Sequence, residues 1–251
     1  MAGRSRRFYR SRTSRGTTRG ASLLFAAILA LTPPALLAGG LVTPAAAHTP
    51  ITFRTSDGVL IRGYQFGNGR TVVILSHMYG TTQRIWFPLA EELARRGYTA
   101  ITYDYRGIGG SGGKFVIAQT YRDALAAVAY ATRGGRRPVI LIGASMGGTV
   151  SLKAAALRRV EGVVVIASGT QFRGLDVRPH LATLHTPKLF VAGSGDHPFA
   201  ESVRRMHART PQPKALRLYP SNAHGTYLFA TRYGTAVQAE ILAFVRTYGT
   251  R

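Results

Sequence analysis

Two stretches of the 251-residue chain place a serine between spaced glycines: GGSGG around Ser111 and GASMG around Ser145. A serine hydroxyl is a weak nucleophile until a base takes its proton and an acid orients that base. Because the spacing occurs twice here, the pattern alone cannot choose between the two serines. Seven histidines (His48, His77, His180, His185, His197, His207 and His224) and ten acidic residues supply the candidate partners.

The surroundings of the two serines separate them. Ser145 closes the apolar strand PVILIGAS and directly precedes MGGTVSLKAAALRR, a helix-forming segment. That is the strand-turn-helix setting of a nucleophile elbow, in which glycines at 143 and 147 leave room for a sharp reversal. The hydroxyl then sits at a helix N-terminus, where free amides favour negative charge. Ser111 lies in a glycine-rich loop after YDYRGI, with no buried strand just before it and no helix just after.

Alternating sheets gather their reactive groups at the carboxyl ends of strands. His224, in YPSNAHGTY, and His77 both fall at predicted strand ends, whereas His207 lies in a predicted helix and His180 and His185 in an irregular loop. Among the acids, Asp196 closes LFVAGSGD and Asp104 closes another strand. Asp57 reads as a turn residue, Asp123 as a helix-surface residue and Asp176 as a weaker loop candidate.

The elements that must position these residues alternate along the chain. Residues 51–66 read as a hairpin around Ser56, Asp57 and Gly58, followed by the buried strand TVVILSH. Ile85, Leu89 and Leu93 mark a helix ending near Gly97, YTAITY a strand, and Tyr121, Leu125, Val128 and Ala129 a second helix. PVILIGAS, VEGVVVIAS, PKLFVAGSGD and KALRLYP are further strands, with helices between and a last helix within 226–248. This alternation predicts an α/β domain: a mostly parallel sheet, helices on both faces, and the first hairpin as its antiparallel edge.

From about residue 50 onward the chain resembles a compact α/β-hydrolase, in the broad group of serine esterases, dienelactone-hydrolase-like and serine-aminopeptidase-like proteins. ILSHMYGTTQ resembles that family's oxyanion loop, YDYRGIGGSGG its arginine-glycine loop, GASMGG its elbow, and AGSGD with NAHG its acid and base. The resemblance implies Ser145 as nucleophile, His224 as general base and then acid, and Asp196 as the residue that orients the imidazole. It implies an oxyanion hole from the backbone amides of Met146 and Tyr79, with Met78 where many relatives have glycine. His77, Asp104 and Arg106 would then be structural braces of the loops around the site. The eighteen residues GTQFRGLDVRPHLATLHT are too few for a large helical cap, so little or no cap is expected.

These roles imply attack on an ester, thioester or amide carbonyl through an acyl-enzyme, with a carboxylesterase-type activity favoured. An acyltransferase or aminopeptidase would use the same three groups, and a non-catalytic envelope-binding protein would keep the fold without using them. No metal or organic cofactor is required, and no metal-ligand spacing is present.

Charge and the N-terminus bear on where the protein works. The formal net charge is +23, with Arg4, Arg6, Arg7, Arg10, Arg12, Arg15 and Arg19 all within the first twenty positions. The basic start, the apolar residues 21–42 and the alanines 45–47 read as an export signal covering 1–47, leaving a hydrolase domain over 48–251. SRRFY resembles a twin-arginine signal, although the general secretory route stays open. Twenty-two apolar residues could also span a bilayer as an uncleaved anchor, a reading opposed by Pro33 and Pro34. Either way the domain is expected outside the cytoplasm, secreted or in the cell envelope, and the absence of cysteine suits that setting. Beyond residue 47 there are 26 basic and 10 acidic residues. That balance favours anionic envelope surfaces, while the scattered basic residues form no specific nucleic-acid motif.

Overall fold

The computed structural model describes residues 48–250; the expected signal over 1–47 lies outside them. Two antiparallel strands open the domain, β1 (His48–Arg54) and β2 (Leu60–Phe66), paired from His48 with Phe66 to Arg54 with Leu60. Thr55 and Val59 close the turn between them through a 3.0 Å backbone hydrogen bond, and Gly58 takes φ +82° there.

The central strands are β3 (Val72–Ser76), β4 (Thr99–Tyr103), β5 (Val139–Ala144), β6 (Gly162–Ile166) and, after a short excursion, β9 (Lys188–Gly193). Every residue of these five strands is buried, which is why their sequences are mostly apolar instead of alternating. The excursion holds a two-residue pair, β7 (Gln171–Phe172) with β8 (Leu175–Asp176), and a 3-10 turn over Arg178–Thr183. The edge strand β10 (Lys214–Tyr219) is only partly buried. Sheet order is β1-β2-β4-β3-β5-β6-β9-β10, parallel from β4 onward, with β2 antiparallel to β4.

Helices α1 (Phe87–Arg95), α2 (Thr120–Thr132), α3 (Met146–Leu157), α4 (Phe199–Arg209) and α5 (Gly234–Tyr248) connect and cover the sheet. From β3 the chain crosses one way to β4; from β5 it crosses the other way to β6. Parallel crossovers are right-handed, so this reversal puts α1 on the opposite face from α3. It also opens a crevice at the carboxyl ends of β3 and β5, where such sheets hold their ligands. No helix among the described residues is long and apolar enough to cross a membrane.

Three local expectations need correcting. Asp123 is not on a helix surface: it is fully buried, because Arg106 supplies the charge that lets a carboxylate sit in the core. Ala129 is exposed, and the buried stripe of α2 runs through Ala124, Ala127, Val128 and Ala131. Ile85 belongs to a 3-10 turn over Gln83–Trp86 that precedes α1, whose Pro88 sits in the first turn where its missing N–H costs nothing.

Candidate active site

Ser145 is the hinge between β5 and α3 and has φ 52° and ψ −122°, a backbone conformation that L side chains rarely adopt. Its amide is tied to the Ile166 carbonyl of β6 at 2.8 Å. The flanking glycines are steric requirements: a Cβ on Gly143 would collide with the Gly147 carbonyl, and one on Gly147 with the Ser76 carbonyl of β3. Close packing thus forces the turn and leaves the serine at the N-cap position, immediately before the first residue of α3.

The two partners arrive from the other end of the sheet. Asp196 follows β9 and His224 follows β10, and their loops are joined by hydrogen bonds from Gly195 N–H to Ser221 C=O at 3.0 Å and from Ser194 N–H to Tyr219 C=O at 2.7 Å. His224 Nε2 lies 2.8 Å from Ser145 Oγ, and His224 Nδ1 lies 2.9 Å from Asp196 Oδ2. With Asp196 as the carboxylate acceptor, the imidazole proton sits on Nδ1. Nε2 is then the lone pair that accepts from the serine hydroxyl. Burial pushes the Asp196 carboxyl up from its ordinary value, and the hydrogen bond with His224 works against that push. Phe199, at the start of α4, packs on the imidazole with ring centroids 4.2 Å apart.

The loop after β3 forms the other wall of the crevice. His77 is buried, with Nδ1 2.8 Å from the Met78 carbonyl, so Nδ1 carries the proton and Nε2 faces Asp104 at 3.8 Å. Burial pushes the His77 imidazole down, and with Nδ1 tied to the Met78 carbonyl and Nε2 turned toward Asp104 instead of a hydroxyl, the side chain suits a brace. Asp104 accepts from the backbone N–H and the side-chain amide of Gln83, both at 2.8 Å, fixing where the loop re-enters the fold. Met78 fills the position where a glycine was the common alternative. Its sulfur lies 3.4 Å from the Thr226 amide, so the oxyanion-side loop directly supports the loop that carries His224. Tyr79 is 44% exposed, and neither its backbone N–H nor that of Met146 donates to any protein acceptor among the described residues. An oxyanion needs unspent amide donors of this kind.

Ser111 stands apart from this group. Its hydroxyl donates to the Asp104 carbonyl at 2.7 Å and accepts from Arg62 N–H at 2.9 Å, latching the glycine-rich loop to β2. Arg106, in the same loop, is buried and bonds Asp123 through Nε at 2.9 Å, Asp57 through Nη1 at 2.8 Å and Gln119 through Nη1 at 2.8 Å. Asp57 is therefore more than a turn residue: the guanidinium holds its carboxyl far below the usual range. Asp176 is bound to Arg178 and is remote from this relay of contacts. Sequence reasoning missed Phe199, Gln83 and the Met78 contact. Only Phe199 carried a local signal, three residues after Asp196 at a helix start.

This sheet order, elbow and hydrogen-bonded Ser-His-Asp set define an α/β-hydrolase fold. Residues 67–175 match the family described as serine aminopeptidase, S33. Among solved structures it is similar to the Pyrococcus furiosus esterase Pf2001, at 17% identity and TM-score 0.71, covering 81% of this chain and 91% of that one. It is also similar to the esterase EaEST from Exiguobacterium antarcticum, at 16% identity and TM-score 0.66, covering 79% and 100%. A third similar structure is the α/β hydrolase GrgF from Penicillium sp. sh18, at 19% identity and TM-score 0.69, covering 82% and 100%. No curated protein matches the sequence.

Proposed function

We propose that this protein is an exported serine hydrolase of carboxylesterase type. The observation that carries the reading is the unbroken relay from Ser145 Oγ through the His224 imidazole to Asp196, with both links at or below 2.9 Å. In this reading Ser145 attacks the substrate carbonyl carbon while His224 Nε2 takes the hydroxyl proton. The carbonyl oxygen becomes an oxyanion held by the Met146 and Tyr79 amides. His224 then protonates the leaving group, the acyl-enzyme forms, and a water molecule repeats the sequence to release the acid. Export rests on the basic, apolar and alanine-rich pattern of residues 1–47.

Esterase structures among the similar folds favour ester over amide. A second reading, aminopeptidase, is motivated by the family that residues 67–175 match. A panel of short and long acyl nitrophenyl esters beside aminoacyl nitroanilides decides between them. We expect the esters to be turned over at least a hundredfold better, with the rate lost in Ser145→Ala. Preference for the aminoacyl amides would overturn the esterase assignment, and turnover that survives Ser145→Ala would overturn the nucleophile.

A further inference from the structure

The short β7-β8 hairpin is a minimal cover on the crevice side of the sheet. It starts a few residues after β6, the strand whose carboxyl end holds the Ser145 amide, and it packs on α3. Its two-residue tip is Arg173-Gly174, with φ 45° and 86°. Positive φ at both positions is the primed hairpin turn that asparagine and glycine serve best. Gly174 satisfies this at no steric cost, but Arg173 is a long side chain held in the left-handed region. A strained non-glycine residue is a pointer to use.

The arginine side chain is directed onto Tyr79, whose backbone amide the hydrolase reading assigns to the oxyanion hole. Its guanidinium lies 5.1 Å from the Tyr79 ring centroid and 5.6 Å from that of Phe172, and Nη1 donates to the Tyr79 hydroxyl at 3.2 Å. Phe115 and Phe172 pack against Tyr79 in turn, so an aromatic platform holds the cation in place. No carboxylate pairs with Arg173 among the described residues, whereas Arg178, five residues on, is neutralised by Asp176 at 2.8 Å. Of the two arginines in this segment, only Arg173 keeps its charge free for something from outside.

We propose that Arg173 is a specificity residue that receives an anionic group of the substrate, a carboxylate borne by the same ester that Ser145 attacks. The assignment rests on the serine hydrolase reading above. A planar guanidinium stacked on aromatic rings retains donors that suit a carboxylate, and it is pre-organised to do so. A hemi-ester of a short dicarboxylic acid is the simplest substrate of this class.

The test compares a nitrophenyl hemi-ester of glutaric acid with the neutral nitrophenyl ester of equal chain length. The ratio of their kcat/KM values is measured at one ionic strength in wild type, Arg173→Gln, Arg173→Lys and Arg178→Gln. We expect Arg173→Gln to lower the anionic-to-neutral ratio about tenfold. Arg173→Lys should lower it less, and Arg178→Gln should leave it as in wild type. An unchanged ratio in Arg173→Gln, or an equal fall in Arg178→Gln, would overturn the assignment while leaving the hydrolase reading intact. Turnover of neither ester by wild type would overturn both.

Discussion

Ser145 and Ser111 share one five-residue pattern and have opposite fates, and the difference lies in their hydrogen bonds. The Ser111 hydroxyl is spent on the backbone at Arg62 and Asp104, whereas that of Ser145 points to an imidazole. Ser111→Ala should therefore cost about 1 to 2 kcal/mol in denaturant unfolding, because it strands two backbone groups, while the reactive serine stays labelled by acylating probes. Asp196→Asn should act in the contrary way. It leaves the fold standing, since the amide is nearly isosteric, but it cannot hold the His224 tautomer, and kcat should fall on the order of ten-thousandfold. A drop of less than tenfold would show that Asp196 does not orient the base.

At the level of elements, the strand-helix order was legible because buried parallel strands are written as continuous apolar runs bounded by glycine, as in VILIGA before Ser145 and LFVAGSGD before Asp196. The fully buried ion pair was not legible. Asp123 looks like a helix-surface acid until β1, β2 and α2 are assembled around Arg106, a long-range juxtaposition with no local period. Gln83 and Met78 escaped for the same reason, since each acts on a partner 21 or 148 residues away. The Arg106 cluster joins the first turn to α2, and its Asp57 arm should contribute to acid stability, whereas burial pushes the Asp123 carboxyl up and adds no loss in acid. Arg106 depresses Asp57 in the folded state, so this stabilisation is complete above the ordinary aspartate value of 3.8 and is lost as pH falls through the lower folded value. Asp57→Asn should cost about 1 to 2 kcal/mol at pH 7. The gap from wild type should hold down to about pH 4 and close below it; a gap that widened in acid would contradict the pairing.

For the whole molecule, a short hairpin stands in place of a large cap, and the excess of 26 basic over 10 acidic residues beyond position 47 gives the domain a large positive net charge. We expect the domain to associate with vesicles rich in anionic lipid at low salt, to be released at high salt, and to do so equally well as Ser145→Ala. Binding that resisted salt would point to a specific contact instead. Sequence order revealed which strands lead into Ser145, Asp196 and His224. It could not reveal that the loops after β9 and β10 are stitched together to present acid and base as one unit. Every proposed step begins with Ser145 as the activated nucleophile. Treatment with a fluorophosphonate, followed by mapping of the modified peptide, should place one adduct on Ser145 in wild type and none in Ser145→Ala. Labelling of both proteins, of neither, or at Ser111 would contradict it.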